Sequence, residues 1–160
     1  MYPNSSFNCT LPTGAAWDRT LGWLVNTKDK TLEQIITNSS GLGNYLDNSF
    51  EISTSARYYS SGNNYTAVNG SYTKPANNVT NIIGVRLTTG AAPTRNVSNN
   101  IFDLAGNYRE WTTESRESNG YMVNRGGAFN ESAGSAGDRG FINATSDGDS
   151  SVGFRPVIFL

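Results

Sequence analysis

The chain has 160 residues, with 12 Lys plus Arg against 13 Asp plus Glu and a formal net charge of -1. That is one domain's worth of sequence, long enough to bury a core. There is no basic footprint for nucleic acid, no apolar run long enough to span a membrane, and no basic-then-apolar N-terminal stretch of the signal-peptide type; Cys9, the only cysteine, permits no internal disulfide.

In chain order, Leu11-Pro12-Thr13-Gly14 precedes a run in which Trp17, Leu21 and Leu24 recur at helical spacing. This predicts an amphipathic helix with Thr13 as its cap. Thr31 to Ile36 predicts a second, short helix, in which Thr31 and Gln34 have capping-box spacing. Ser39 to Asn81 is rich in Asn, Ser, Gly and Tyr and carries little periodicity, which predicts long loops with short strands. Ile82 to Leu87 is expected as a strand and Thr88 to Asn99 as a loop. Tyr121-Met122-Val123 and Phe154 to Leu160 are short, apolar and β-branched, and are expected as buried strands. The class is α+β: one domain over 1–160, with two helices, a small twisted antiparallel sheet and abundant loop.

Trp17, Trp23 and Trp111 are expected in or just below the core. Gly126, Gly127 and Gly153 are expected to meet backbone needs, either positive φ or close approach. Arg125 and Arg155 are expected to anchor loops through charge-assisted hydrogen bonds. The chain has no His, hence no Ser-His-Asp triad, and no cluster has zinc spacing. Asp147 and Asp149 sit in a Gly/Ser stretch without an apolar pocket to tune them. The sequons at Asn8, Asn38, Asn64 and Asn78 are what an Asn- and Ser-rich chain yields by chance.

Three blocks in the last third stand in a telling order: Asp103-Leu104-Ala105-Gly106-Asn107-Tyr108-Arg109-Glu110-Trp111, then Arg125-Gly126-Gly127, then Gly153-Phe154-Arg155. With Leu11-Pro12-Thr13 and Trp17-Asp18 near the N-terminus, they resemble the formylglycine-generating-enzyme (sulfatase-modifying factor) family; Gly14 replaces an acidic residue of that first block. The middle, Ser39 to Asn99, matches loosely. The resemblance implies a C-type-lectin fold. The enzymes oxidise a cysteine with two cysteines of their own, which would fall near Glu131 and Ala136. Neither is a thiol, and a thiolate is what that chemistry needs. The scaffold is therefore expected without the catalysis and without a redox cofactor. The resemblance also implies a structural Ca²⁺, with carboxylate oxygens from Asp103 and Glu110 and backbone carbonyls from Gly106 and Tyr108, the mixed oxygen set that suits a hard cation. The alternative is a metal-free loop in which Glu110 forms a salt bridge or caps backbone amides.

Between the RGG and GFR blocks lies a polar stretch, 128–151, made largely of Ser, Gly, Asn and Asp with an occasional Phe. That composition is the adaptable palette of binding loops, and a rigid scaffold lets such loops carry function. Its placement near the C-terminus resembles the variable proteins of diversity-generating retroelements. Their diversified segment draws on residues other than Lys, Glu, Gln, Met and Trp, and Glu131 is the only such residue in this stretch. The resemblance implies a non-enzymatic receptor-recognition module of a phage tail tip or bacterial surface, binding a cell-surface protein or glycan and neither nucleic acid nor membrane. The expected face is Ala128, Phe129, Asn130, Ser132, Asp138, Gly140, Phe141, Asp147 and Asp149, with the two Phe as anchors. The rivals are a sulfatase-modifying-type enzyme with altered chemistry and a structural domain of a phage or surface protein.

Overall fold

Thr13 starts the first helix as its sequence predicts. In the computed structural model, which describes residues 8–53, 57–60, 64–67, 70–72, 84–92, 97–116, 120–132, 134–143 and 149–159, α1 spans Gly14–Asn26 and the Thr13 hydroxyl accepts from the Ala16 amide at 3.0 Å. Its buried stripe is Trp17, Leu21 and Leu24. Trp23 falls off that stripe and is 46% exposed, so it is not the core residue expected. The second helix, α2, covers Leu32–Ile36 and is one turn long. A helix this short has no stability of its own. It is held by the Thr31–Gln34 capping box, with reciprocal bonds of 3.2 and 2.9 Å, and by burial of Ile35.

The strands run β1 Asn8–Thr10, β2 Phe50–Ile52, β3 Arg57–Ser60, β4 Asn64–Ala67, β5 Gly70–Tyr72, β6 Arg86–Leu87, β7 Val97–Ser98, β8 Ile101–Phe102, β9 Arg109–Arg116, β10 Tyr121–Arg125, β11 Arg139–Asn143, β12 Val152–Phe154 and β13 Val157–Phe159. The main sheet has the order β11-β10-β9-β12. Its first three strands are antiparallel, whereas β12 lies parallel to β9, pairing Val152 with Arg109 and Phe154 with Trp111. The sheet is thus mixed rather than antiparallel: the chain leaves β11 at one edge and re-enters at the other edge in the direction of β9. The termini meet where β1 pairs with β13. The smaller pairings are β2 with β5, β4-β3-β6, and β7 with β8. Of the strand expected over Ile82–Leu87, only Arg86–Leu87 is paired; Ile82 and Ile83 lie outside the described residues.

Two apolar clusters form the core. Trp17, Leu21, Leu24, Ile35, Tyr45, Leu104, Ala105 and Ala136 join the helices to the loops. Phe50, Ile52, Leu87, Ala91 and Ala92 form the second. Trp111 is only half-buried. Phe154 is 72% exposed and Ile158 is also exposed, against the expectation of buried strands. Both lie on strands that, among the described residues, have one paired neighbour, β12 with β9 and β13 with β1.

The RGG block is a backbone requirement. Gly126 has φ +94° and Gly127 φ +70°, and a Cβ on either would approach the Leu104 carbonyl or the Tyr45 hydroxyl to 2.9 Å. Gly153 shows neither need: its nearest neighbour would be Tyr108 Cβ at 3.4 Å, an ordinary contact.

Candidate functional site

Outside β11, the described residues of 128–151 form turns closed by side chains of the segment itself. Glu131 accepts from the Ala128 amide through Oε2 at 2.7 Å and forms an ion pair with Arg109 through Oε1. The Glu131 amide donates back to the Ala128 carbonyl at 3.1 Å, and Leu46 N–H donates to the Glu131 carbonyl at 3.0 Å. Phe129 N–H donates to the Asn107 carbonyl at 2.9 Å. Its ring lies 5.7 Å from the Tyr108 ring and 4.7 Å from the Arg86 guanidinium. A second turn is closed by Asp138, whose carboxylate accepts from the Ser135 amide at 2.7 Å and its hydroxyl at 2.8 Å. That turn is pinned to the core where Trp17 Nε1 donates to the Ala136 carbonyl at 2.9 Å. A third is closed by Asp149, which accepts from the Ser151 amide at 2.7 Å and its hydroxyl at 2.6 Å. Those two bonds, hydroxyl first, hold the Asp149 carboxyl below its ordinary range, with the Arg109 charge adding to them.

These contacts divide the nine residues expected on the face. Ala128 and Phe129 are buried, 0% and 3% exposed: the left-handed Gly126-Gly127 pair turns the chain inward, and Phe129 fills the space between Tyr108 and Arg86. They are removed from the face. Asp138 and Asp149 are exposed but serve as turn caps. Gly140 is half-buried, and a Cβ there would collide with the Asn124 amide. Asp147 lies outside the described residues. Asn130, Ser132 and Phe141 remain as displayed side chains. Asn130 and Ser132 flank Glu131 and its ion pair with Arg109. Phe141, on β11, has the Arg116 guanidinium 5.4 Å from its ring centre. The sequence reading did not single out Arg109, Arg116 or Arg86; the Arg109–Glu131 separation of 22 positions gives no local pattern to read.

Glu131 and Ala136, near which the resemblance would put the enzymes' cysteines, both hold these turns. Cys9 is exposed on β1.

The residues that the resemblance assigns to calcium lie mostly on one cleft of about 260 Å³. Asp103, Tyr108 and Glu110 line it with Asn107 and Arg155; Gly106 does not. Asp103 adopts φ 55° and is buried. Arg155 grips Glu110 with two bonds, Nε to Oε2 at 2.8 Å and Nη2 to Oε1 at 2.7 Å. Burial pushes the Glu110 carboxyl up, the Arg155 bonds and charge pull it down, and Asp103 pushes it up further; the net direction is up. Two features weigh against calcium at this set: the Arg155 guanidinium already donates one bond to each Glu110 oxygen, and a dication beside Arg155 would meet like charge. Among the described residues no three of His, Cys, Asp or Glu gather as a metal group. Melting curves recorded with calcium and with a chelator should coincide. A rise in Tm with calcium that Glu110→Ala removes would restore the metal site.

Compared with protein-family models, with curated proteins and with solved structures, the chain matches none.

Proposed function

We propose that the chain is a non-enzymatic ligand-binding module that displays a changeable surface on a rigid scaffold, as variable proteins of diversity-generating retroelements do with a C-type-lectin fold. The observation behind this reading is a division of labour within 128–151. Glu131, Ser135, Asp138, Asp149 and buried Phe129 hold the turns. Asn130 and Ser132 are exposed and, among the described residues, their side chains make no hydrogen bond within the chain. Phe141 offers apolar area 48% exposed. Adaptable polar side chains and an exposed aromatic are the element types of a recognition surface. The ligand is a cell-surface protein or glycan, and the setting a phage tail or bacterial surface. No helix among the described residues is long and apolar enough to cross a membrane. A sulfatase-modifying activity would need thiols where Glu131 and Ala136 stand.

The test is a pair of libraries. Randomising Asn130, Ser132 and Phe141 should leave most members folded, since surface substitutions away from special features stay within about 0.5 kcal/mol, while binding to candidate surface proteins and glycans varies with sequence. Randomising Ala128 and Phe129 should unfold most members. If the first library fails to fold as often as the second, the segment is core and the module reading is wrong. If it folds and binding ignores the sequence there, the domain is a structural spacer.

A further inference from the structure

A second concavity is lined by none of Asn130, Ser132 and Phe141. It is a groove of about 380 Å³ between α1 and α2, walled by Leu21 and Val25 on one side and Leu32, Ile35 and Ile36 on the other. That volume is in the range of small-molecule sites. Leu32 and Ile36 stand exposed at its mouth. Asp18, Arg125 and Arg139 also line it, so two guanidiniums meet one carboxylate there.

The Arg125 side chain is 1% exposed. It donates through Nη2 to Asp18, and its buried Nε has no partner. Asp18 is divided, since its other oxygen accepts from Arg139 at 2.7 Å; Glu114, 3.4 Å from Arg139, is not part of the lining. A buried guanidinium that uses so few of its five donors calls for an acceptor. Gly22 adds an independent observation. It sits inside α1 on the groove wall, and a Cβ there would have nothing within 4 Å. Glycine is a poor helix former, no close neighbour requires it here, and its effect is to keep the groove open.

We infer that the groove binds a small amphiphilic carboxylate. The carboxylate oxygens take N–H groups of Arg125 and Arg139, and the hydrocarbon lies along Leu21, Val25 and Ile35. Guanidinium and carboxylate match in charge and in fork geometry. The experiment titrates the full chain with decanoate and with decanol, followed by calorimetry and by amide NMR shifts. Decanoate should bind saturably and decanol about tenfold more weakly, the loss of one charge-assisted interaction. Arg139→Gln, at an exposed position, should weaken decanoate about tenfold and leave decanol unchanged. Gly22→Leu should fill the groove, keep or raise Tm, and abolish both. Equal affinities for acid and alcohol, binding that survives Gly22→Leu, or no saturable binding of decanoate would each overturn the inference.

Discussion

Trp17→Ala should cost about 3–5 kcal/mol, the range for removing a buried aromatic side chain. Trp17 is 3% exposed and packs in the helix-side cluster with Leu21, Leu24 and Tyr45. Its ring also closes the RGG turn from below, since a Cβ on Gly126 would lie 3.3 Å from Trp17 Cζ2. The change empties the largest side chain of that cluster and strips the Ala136 carbonyl of its Nε1–H donor, so a cavity and an unsatisfied acceptor arise together. At roughly 2–4 °C per kcal/mol for a chain of this size, Tm should fall by about 10 °C. Trp111→Ala, at a half-buried position on β9, should cost clearly less. Urea midpoints for the two variants decide the matter: equal losses, or a Trp17→Ala protein as stable as the parent, would show that the core lies elsewhere.

Local chemistry was legible in the sequence, and tertiary partnership was not. The Thr13 cap, the Thr31–Gln34 capping box and the stripe Trp17-Leu21-Leu24 each depend on residues three to seven positions apart, so their spacing announces them. Gly126-Gly127 was legible for a similar reason, because few residues other than glycine tolerate that backbone. Arg125 and Arg155 were readable as anchors but their partners, Asp18 and Glu110, were not. Phe129 misled because its neighbours in sequence are polar while its neighbours in space, Tyr108 and Arg86, come from other blocks. The parallel direction of β12 depends on where a connection crosses the sheet, which no residue pattern encodes. Asp138 and Asp149 were within reach: Ser135 with Asp138, and Asp149 with Ser151, have the spacing of side-chain-closed turns. Composition alone makes these carboxylates look like recognition groups; the i, i+3 and i, i+2 spacings mark them as turn caps.

The pair at the polar cleft gives the second large effect, and its size should depend on pH. Arg155→Ala removes both bonds to Glu110 and one, of 2.7 Å, to the Phe102 carbonyl. It leaves a carboxylate that is 9% exposed without its guanidinium. Breaking a buried pair from one side costs about 3–5 kcal/mol, and partial exposure of Arg155 places this case near the lower figure. The Glu110 carboxyl is already raised by burial against the pull of Arg155. Without Arg155 it rises further, with the Asp103 charge pushing the same way. A carboxyl raised in the folded state binds its proton more tightly folded than unfolded. Its contribution to stability is therefore full below the unfolded value, about pH 4.3 for Glu, and is lost as pH rises through the folded value. The Arg155→Ala deficit should accordingly be smaller at pH 4 than at pH 8. Adding Glu110→Gln removes the stranded charge, so the double variant should recover roughly half the loss at pH 8 and little at pH 4. Denaturant melts of the parent, both single variants and the double variant at the two pH values supply the cycle. A deficit independent of pH, with no recovery in the double variant, would mean that Arg155 stabilises the cleft through the Phe102 carbonyl and packing rather than by holding a buried charge on Glu110.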